Sequence, residues 1–293
     1  MAENFFGWTS LRAPKTALLC EGGGQRAIYG AGALQCMYDN HVTFPYYIGV
    51  SASASNLASH LAGHRDRTER FYAEYAARKE YMGFRCLRKT GSVIDLEYIY
   101  EAITNHEDPI DYDTLCAVED EIRIVVTNAA TGRPEYLDNQ VFKQRHCKAL
   151  MASSALPVYC RPVELDGLQY YDGGVSDSLP VERALAEGCE RVVAILTRPP
   201  GFVKGPERGR RLFALALRNY TALVEALSRR HERYAASLAL LEELEAEGRA
   251  VLIRPPEDLP INMLTRKPES LLRAVCRMGY QDAERALFTR FSP

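Results

Sequence analysis

The stretch Tyr46-Tyr47-Ile48-Gly49-Val50-Ser51-Ala52-Ser53-Ala54-Ser55-Asn56 decides the reading of this chain. Its first five residues are mostly aromatic and β-branched, the composition of a buried strand. From Ala52 the side chains are small, and the apolar pattern turns helical through Leu57 and Leu61. Ser51 therefore stands where a strand turns sharply into a helix, with the first N–H groups of that helix aimed at it. Gly49 lets the turn close without a side chain meeting the hydroxyl. The complete nucleophile elbow reads G-x-S-x-G, and here Ser53 holds the second glycine position. A serine at a strand end also serves as an ordinary helix cap, so the assignment depends on what the rest of the chain supplies.

Upstream, Thr16–Cys20 is a short apolar run that reads as the first strand. It leads directly into Glu21-Gly22-Gly23-Gly24-Gln25-Arg26, and residues 28–37 then take helical spacing. Three successive glycines expose backbone N–H groups that no side chain screens. A strand, a glycine loop and a helix together make a cradle for an oxyanion or a phosphate. Two other readings compete: a plain tight turn, and a nucleotide site. The P-loop lysine is absent, and Ala27 stands at the third glycine position of the dinucleotide pattern.

Downstream, residues 65–81 and 96–104 read as helices and residues 83–95 as a connection. Residues 121–128 alternate as a clear strand, with 135–137 returning as a hairpin partner, and residues 141–151 read as one helix. A second hairpin turns at Asp166-Gly167 and delivers Asp172-Gly173-Gly174 at a strand end. An aspartate before glycine is by itself a common turn former. A helix over 180–187 and a buried strand over 191–196 follow. This alternation predicts an α/β fold, a mostly parallel central sheet flanked by helices. Residues 198–210 read as a loop, 211–247 as one kinked helix or two, 250–254 as a last strand returning to the same sheet, and 268–288 as a last helix. One domain over residues 1–293 is expected, with the motifs in 15–197 and a mainly helical part in 207–293.

Composition narrows the function classes. The 293 residues carry a formal net charge of −2, which argues against nucleic acid as the main partner. Charge is uneven: residues 198–293 hold 17 Lys and Arg against 12 Asp and Glu, so a basic C-terminal part could lean on anionic lipid or simply be solvated. The eight cysteines include no C-x-x-C pair, hence no zinc-ligand spacing. The start of the chain lacks the basic and apolar regions of a signal peptide, and no apolar run nears the roughly 20 residues of a spanning helix. The expectation is a reduced, cytoplasmic protein, with peripheral membrane contact left open. No acidic cluster has the spacing of a calcium loop, and no metal or cofactor is expected.

Acyl transfer needs a hydroxyl nucleophile, a base, and donors facing the developing oxyanion. Ser51, Asp172 and the N–H groups of Gly23, Gly24 and Gln25 can fill those roles. The blocks Gly22-Gly23-Gly24-Gln25-Arg26, Gly49-Val50-Ser51-Ala52-Ser53 and Asp172-Gly173-Gly174 resemble those of the patatin-like phospholipases. Ala152-Ser153-Ser154-Ala155-Leu156-Pro157 resembles a fourth block, and residues 172–196 resemble the bacterial branch. The resemblance implies a patatin-like three-layer sandwich and a serine lipid acyl hydrolase, a phospholipase A or esterase, using a Ser-Asp dyad without a catalytic histidine. It makes Ser51 the nucleophile, Asp172 the general base and the loop Gly22, Gly23, Gly24, Gln25 and Arg26 the oxyanion hole, with Arg26 helping to hold that loop. Gly49, Ser53, Gly173 and Gly174 fall at motif positions. Ala27 and Ser53 depart from the family pattern, each replacing a glycine. A free aspartate titrates near ~3.9, poorly matched to a serine hydroxyl, so Asp172 is expected to be shielded from water.

Two other functions stay in view. A Ser-His-Asp hydrolase would follow the order Ser51, Asp172, His231, but His231 lies in a charged helical segment. His60 and His64 share a helix face without the glutamate of a zinc motif. A lipid- or acyl-binding protein that kept the fold and lost turnover is the alternative from another class. For the acyl chain, Tyr72, Tyr75, Tyr81, Met82 and Phe84 are candidate groove residues.

Overall fold

The computed structural model describes residues 6–207, 210–264 and 266–288. Eight strands form one sheet: β1 (Thr16–Cys20), β2 (Tyr46–Val50), β3 (Glu121–Asn128), β4 (Pro134–Asp138), β5 (Val163–Leu165), β6 (Leu168–Asp172), β7 (Arg191–Ile195) and β8 (Ala250–Ile253). Their order is β5-β6-β3-β2-β1-β7-β8, with β4 also paired to β3. The pairs β3–β2, β2–β1, β1–β7 and β7–β8 are parallel, while β4 and β6 run antiparallel to β3. The last strand does return to the same sheet.

Strand alternation sorts the core into layers. Leu18 and Cys20 of β1, Val193 and Ile195 of β7 pack with the helices α1 (Ile28–Asp39) and Glu269–Phe288. Ala17 and Leu19, Val192 and Ala194 face the opposite way, against the helices Val181–Ala186 and Arg230–Ala246. A sheet covered on both faces is the three-layer sandwich. On the first face two glycines bring the backbones together: a Cβ on Gly32 would collide with the Cys276 carbonyl, and one on Gly279 with the Tyr29 carbonyl. Ladder register sets the site. Gly49 and Val50 pair with Ile124 and Val125 of β3, and Asp172 pairs with Val126 of the same strand. The ends of β2 and β6 are thereby held side by side.

Several expected elements differ. Residues 83–95 contain a helix, Phe84–Thr90, bounded by Gly83 and by Gly91 at φ 74°. Its basic residues Arg85, Arg88 and Lys89 mask any apolar period. The helix over 65–81 ends early: it starts at Arg67 and widens at Phe71–Tyr75, where Ala76 N–H bonds back five residues to Phe71 at 2.9 Å. The helix over 141–151 is split by Arg145 at φ 54° into a tight turn Asn139–Gln144 and a helix Lys148–Ser153. The segment 211–247, expected as one kinked helix or two, consists of three pieces, Arg210–Ala216, Thr221–Ser228 and Arg230–Ala246. All eight cysteines are free, and among the described residues no helix is long and apolar enough to cross a membrane.

Candidate active site

Ser51 sits between β2 and the helix α2 (Ala52–Leu61) with φ 57° and ψ −134°, a left-handed conformation that costs a non-glycine residue energy. The surroundings hold it there. Its N–H donates to Ser153 Oγ at 2.8 Å, and Ser153 Oγ donates to the Val125 carbonyl at 2.7 Å. Gly49 is required by closeness: a Cβ there would lie 2.8 Å from Ala54 Cα.

Asp172 ends β6 and is 2% exposed, shielded as expected. Ser51 Oγ donates to its Oδ2 at 2.5 Å and Gly174 N–H donates to its Oδ1 at 2.7 Å. Its own N–H donates to the Ala155 carbonyl at 2.9 Å, and its carbonyl accepts from Thr127 Oγ1 at 2.8 Å. A Cβ on Gly173 would strike the Val125 carbonyl. Burial pushes the Asp172 carboxyl above its ordinary range, while the Ser51 hydrogen bond, Arg230, Gly174 N–H and Lys204 hold the rise back. Among the described residues no histidine bonds this carboxylate. His231 keeps an unpartnered Nδ1 elsewhere on its helix, and His64 Nε2 accepts from Asp111 N–H at 3.0 Å.

The glycine loop lies beside the serine. A Cβ on Gly22 would stand 2.9 Å from Ser51 Cβ, and Gly24, at φ 55°, brings its backbone against Met263. Gln25 departs from the donor role expected of it. Its N–H already donates to the Met263 carbonyl at 3.0 Å, and Arg26 N–H donates to the Gly23 carbonyl at 3.2 Å. Neither of these two N–H groups is free to face a ligand. Glu21 is buried; its carboxylate accepts from Thr197 N–H at 2.6 Å and from Tyr234 OH at 3.1 Å.

The family described as "Patatin-like phospholipase" matches residues 18–185, more than half of the chain. The chain belongs to that family. A second family, described only as a domain of unknown function (DUF6363), matches residues 220–289. The uncharacterized protein YjjU of Escherichia coli (strain K12) is 30% identical over 250 residues, which cover 84% of this chain and 70% of YjjU. Among solved structures, VipD from Legionella pneumophila aligns over 93% of this chain at 15% identity and a TM-score of 0.47, and the chain spans 66% of that protein's chain.

Both departures from the patatin-like pattern have local partners. Ser53 Oγ donates to the Glu21 carbonyl at 2.6 Å, joining the elbow to the glycine loop. Ala27 is fully buried, and its carbonyl accepts from Asn56 Nδ2 at 2.8 Å.

Two cavities meet at Ser51. One is an apolar channel walled by Phe71, Tyr72, Tyr81, Leu96, Ile99 and Leu264. Of the groove residues expected from sequence, Tyr72 and Tyr81 line it; Phe84 is 74% exposed, Tyr75 stacks on Arg78, and Met82 bridges to Ile94. The other cavity, about 340 Å³, has a mixed wall in which Glu21, Arg26, Asp172, Arg198, Lys204 and Arg230 stand beside Leu156, Phe202 and Met263.

Sequence reasoning missed two sets of residues. Ser153 and Ala155 of the fourth block clamp the Ser51 and Asp172 backbones, a role their small side chains do not advertise. Arg230 reaches Gly174 through Nε–H to its carbonyl, where sequence order had drawn attention to neighbouring His231. No group of three or more His, Cys, Asp or Glu suited to a metal ion occurs among the described residues.

Proposed function

We propose that this protein is a serine lipid acyl hydrolase, of phospholipase A or esterase type, that cleaves carboxylic esters through a Ser51–Asp172 dyad. The observation that carries the reading is the 2.5 Å contact between Ser51 Oγ and a buried Asp172 carboxylate. In this mechanism Ser51 Oγ attacks the ester carbonyl carbon while its proton passes to Asp172 Oδ2. The carbonyl oxygen becomes an oxyanion facing the N–H groups of Gly22, Gly23 and Gly24. Collapse expels the alcohol, which takes the proton from Asp172 and leaves an acyl group on Ser51. Water, deprotonated by the same carboxylate, then releases the acid.

An aspartate is a weak base, and burial supports its use here by raising its proton affinity. The left-handed turn supports the nucleophile assignment, because strain of this kind persists where surrounding bonds over-determine it. The apolar channel would take the acyl chain. The chain acts as a single domain in this reading, meeting lipid at a membrane surface from the cytoplasm without crossing it.

Hydrolysis of p-nitrophenyl butyrate by wild type, Ser51→Ala, Asp172→Asn and His231→Ala tests the proposal. Loss in the first two and retention in the third is expected. Loss in a folded His231→Ala would replace the dyad with a triad, and an inactive wild type would leave an acyl-binding protein on this fold.

A further inference from the structure

The helix Phe84–Thr90 turns its large apolar side chains away from the protein. It is fastened through Cys86, which is buried and donates from Sγ to the Glu80 carbonyl at 3.4 Å. Phe84 and Leu87 lie one helical turn apart on the same face and are 74% and 41% exposed. Single exposed apolar residues are ordinary, but this pair stands among cations. Arg85, Arg88 and Lys89 are exposed, and with Phe84 they wall a surface cleft of about 400 Å³. A Cβ on Gly91 would strike the Arg161 guanidinium, so a fourth cation lies across the helix end. Lys89 pairs with buried Asp95 at 3.4 Å, whereas Arg85, Arg88 and Arg161 pair with no carboxylate among the described residues. Glu80 and Glu97 flank the helix in sequence, offset by Lys79 and by Arg266, which donates to the Met82 carbonyl at 2.7 Å. The face stays net positive.

This helix grows from the wall of the apolar channel. Met82 and Ile94 pair as antiparallel neighbours, Asp95 N–H donates to the Tyr81 carbonyl at 3.0 Å, and Gly83 N–H donates to the Val93 carbonyl at 2.8 Å. These bonds close a short stem under the helix, and Tyr81 and Ile94 of the stem wall the channel that reaches Ser51. We infer that the helix Phe84–Thr90 docks the protein on an anionic lipid surface. Phe84 and Leu87 enter the boundary between head groups and acyl chains, while Arg85, Arg88, Lys89 and Arg161 meet negatively charged head groups. Two apolar side chains bury little area, so attachment is reversible and needs the charges as well. A second copy of this chain would bring the same cations face to face, which is unfavourable. Lipid suits the surface better than an acidic protein, because the stem leads to an apolar channel that a lipid chain can fill. The inference rests on the proposed function for its purpose, the delivery of lipid esters beside that channel, but docking itself needs no turnover.

Two measurements separate this inference from the reading it rests on. First, Ser51→Ala protein is sedimented with vesicles of phosphatidylcholine alone and of phosphatidylcholine and phosphatidylglycerol in equal parts. Binding to the mixed vesicles that weakens with added salt is expected, with little binding to the neutral ones. Adding Phe84→Ser with Leu87→Ser, or Arg85→Glu with Arg88→Glu, should weaken it about ten-fold or more. The replaced side chains are exposed, so these variants should melt with their parent. Second, with Ser51 intact, either pair should leave kcat/KM on soluble p-nitrophenyl butyrate unchanged and lower hydrolysis of the mixed vesicles about ten-fold. Absence of binding to mixed vesicles, or binding that neither pair weakens, overturns the inference. An equal loss on the soluble ester and on vesicles also overturns it, since the helix would then support the site and not dock it. Binding to immobilised polyglutamate but not to vesicles would make the partner an acidic protein and overturn it as well. Helix-dependent vesicle binding by a protein that hydrolyses no ester would support the docking surface while defeating the hydrolase reading.

Discussion

Ser53 Oγ donates a hydrogen bond to the Glu21 carbonyl at 2.6 Å, so the residue that departs from the elbow pattern ties the elbow to the glycine loop. Ser53→Gly removes that bond and places a glycine in the first turn of α2. We expect a loss of about 1–2 kcal/mol in urea unfolding. Ester hydrolysis should fall but persist, because the loop loses a tether and not a reacting group. A complete loss of turnover in a folded Ser53→Gly would mean that the loop's position depends on this one bond.

Ser51→Gly should stabilise the protein while abolishing hydrolysis. The left-handed backbone at φ 57° strains any residue with a Cβ by about 1–3 kcal/mol, and glycine adopts it freely. A raised melting temperature with no activity is the expected pair of results. A lowered one would show that the serine hydroxyl contributes more than the turn costs.

Asp172 gives a pH dependence with a definite sign. Its carboxyl is raised in the folded protein above the ordinary value of 3.8, so the ionised form is disfavoured by folding. Stability from this group is fully present below 3.8 and is lost as pH rises through the folded value. Asp172→Asn should therefore melt higher than wild type at neutral pH, with the difference shrinking in acid. In the proposed mechanism the carboxylate is ionised when it accepts the serine proton, so kcat/KM of the wild type should fall on the acid side with a midpoint above 3.8. A flat profile down to that value would contradict this.

Gly279 tests the scaffold apart from the chemistry. A methyl group there meets the Tyr29 carbonyl where the last helix crosses α1. Gly279→Ala should cost about 1–3 kcal/mol through forced separation of the helices, with activity per folded molecule retained.

Leu264 lies in the wall of the apolar channel and is only half-buried. Leu264→Trp should shorten the channel, sparing p-nitrophenyl acetate and reducing turnover of p-nitrophenyl octanoate. Equal effects on both would place the acyl chain elsewhere.

Much of this arrangement was legible because its signals are local. A strand entering Gly22-Gly23-Gly24, a strand ending at Ser51 and a hairpin ending at Asp172 each declare a position through a few neighbouring residues, and the sheet then brings the three together. What escaped depends on contacts between distant segments. The Met263 carbonyl that occupies Gln25 N–H lies far along the chain in a loop without pattern. Arg230 and Lys204 look like solvated cations in sequence, and only the fold turns them toward Asp172. The break at Arg145 went unseen because a left-handed arginine leaves no compositional trace.

The most direct test of the dyad is mapping of the covalent adduct formed by a fluorophosphonate probe, by peptide mass spectrometry, on wild type, Asp172→Asn and His231→Ala. The account predicts one adduct, on the peptide containing Ser51, in wild type and in His231→Ala, and none in Asp172→Asn. An adduct on another serine, full labelling of Asp172→Asn, or loss of labelling in folded His231→Ala would contradict it.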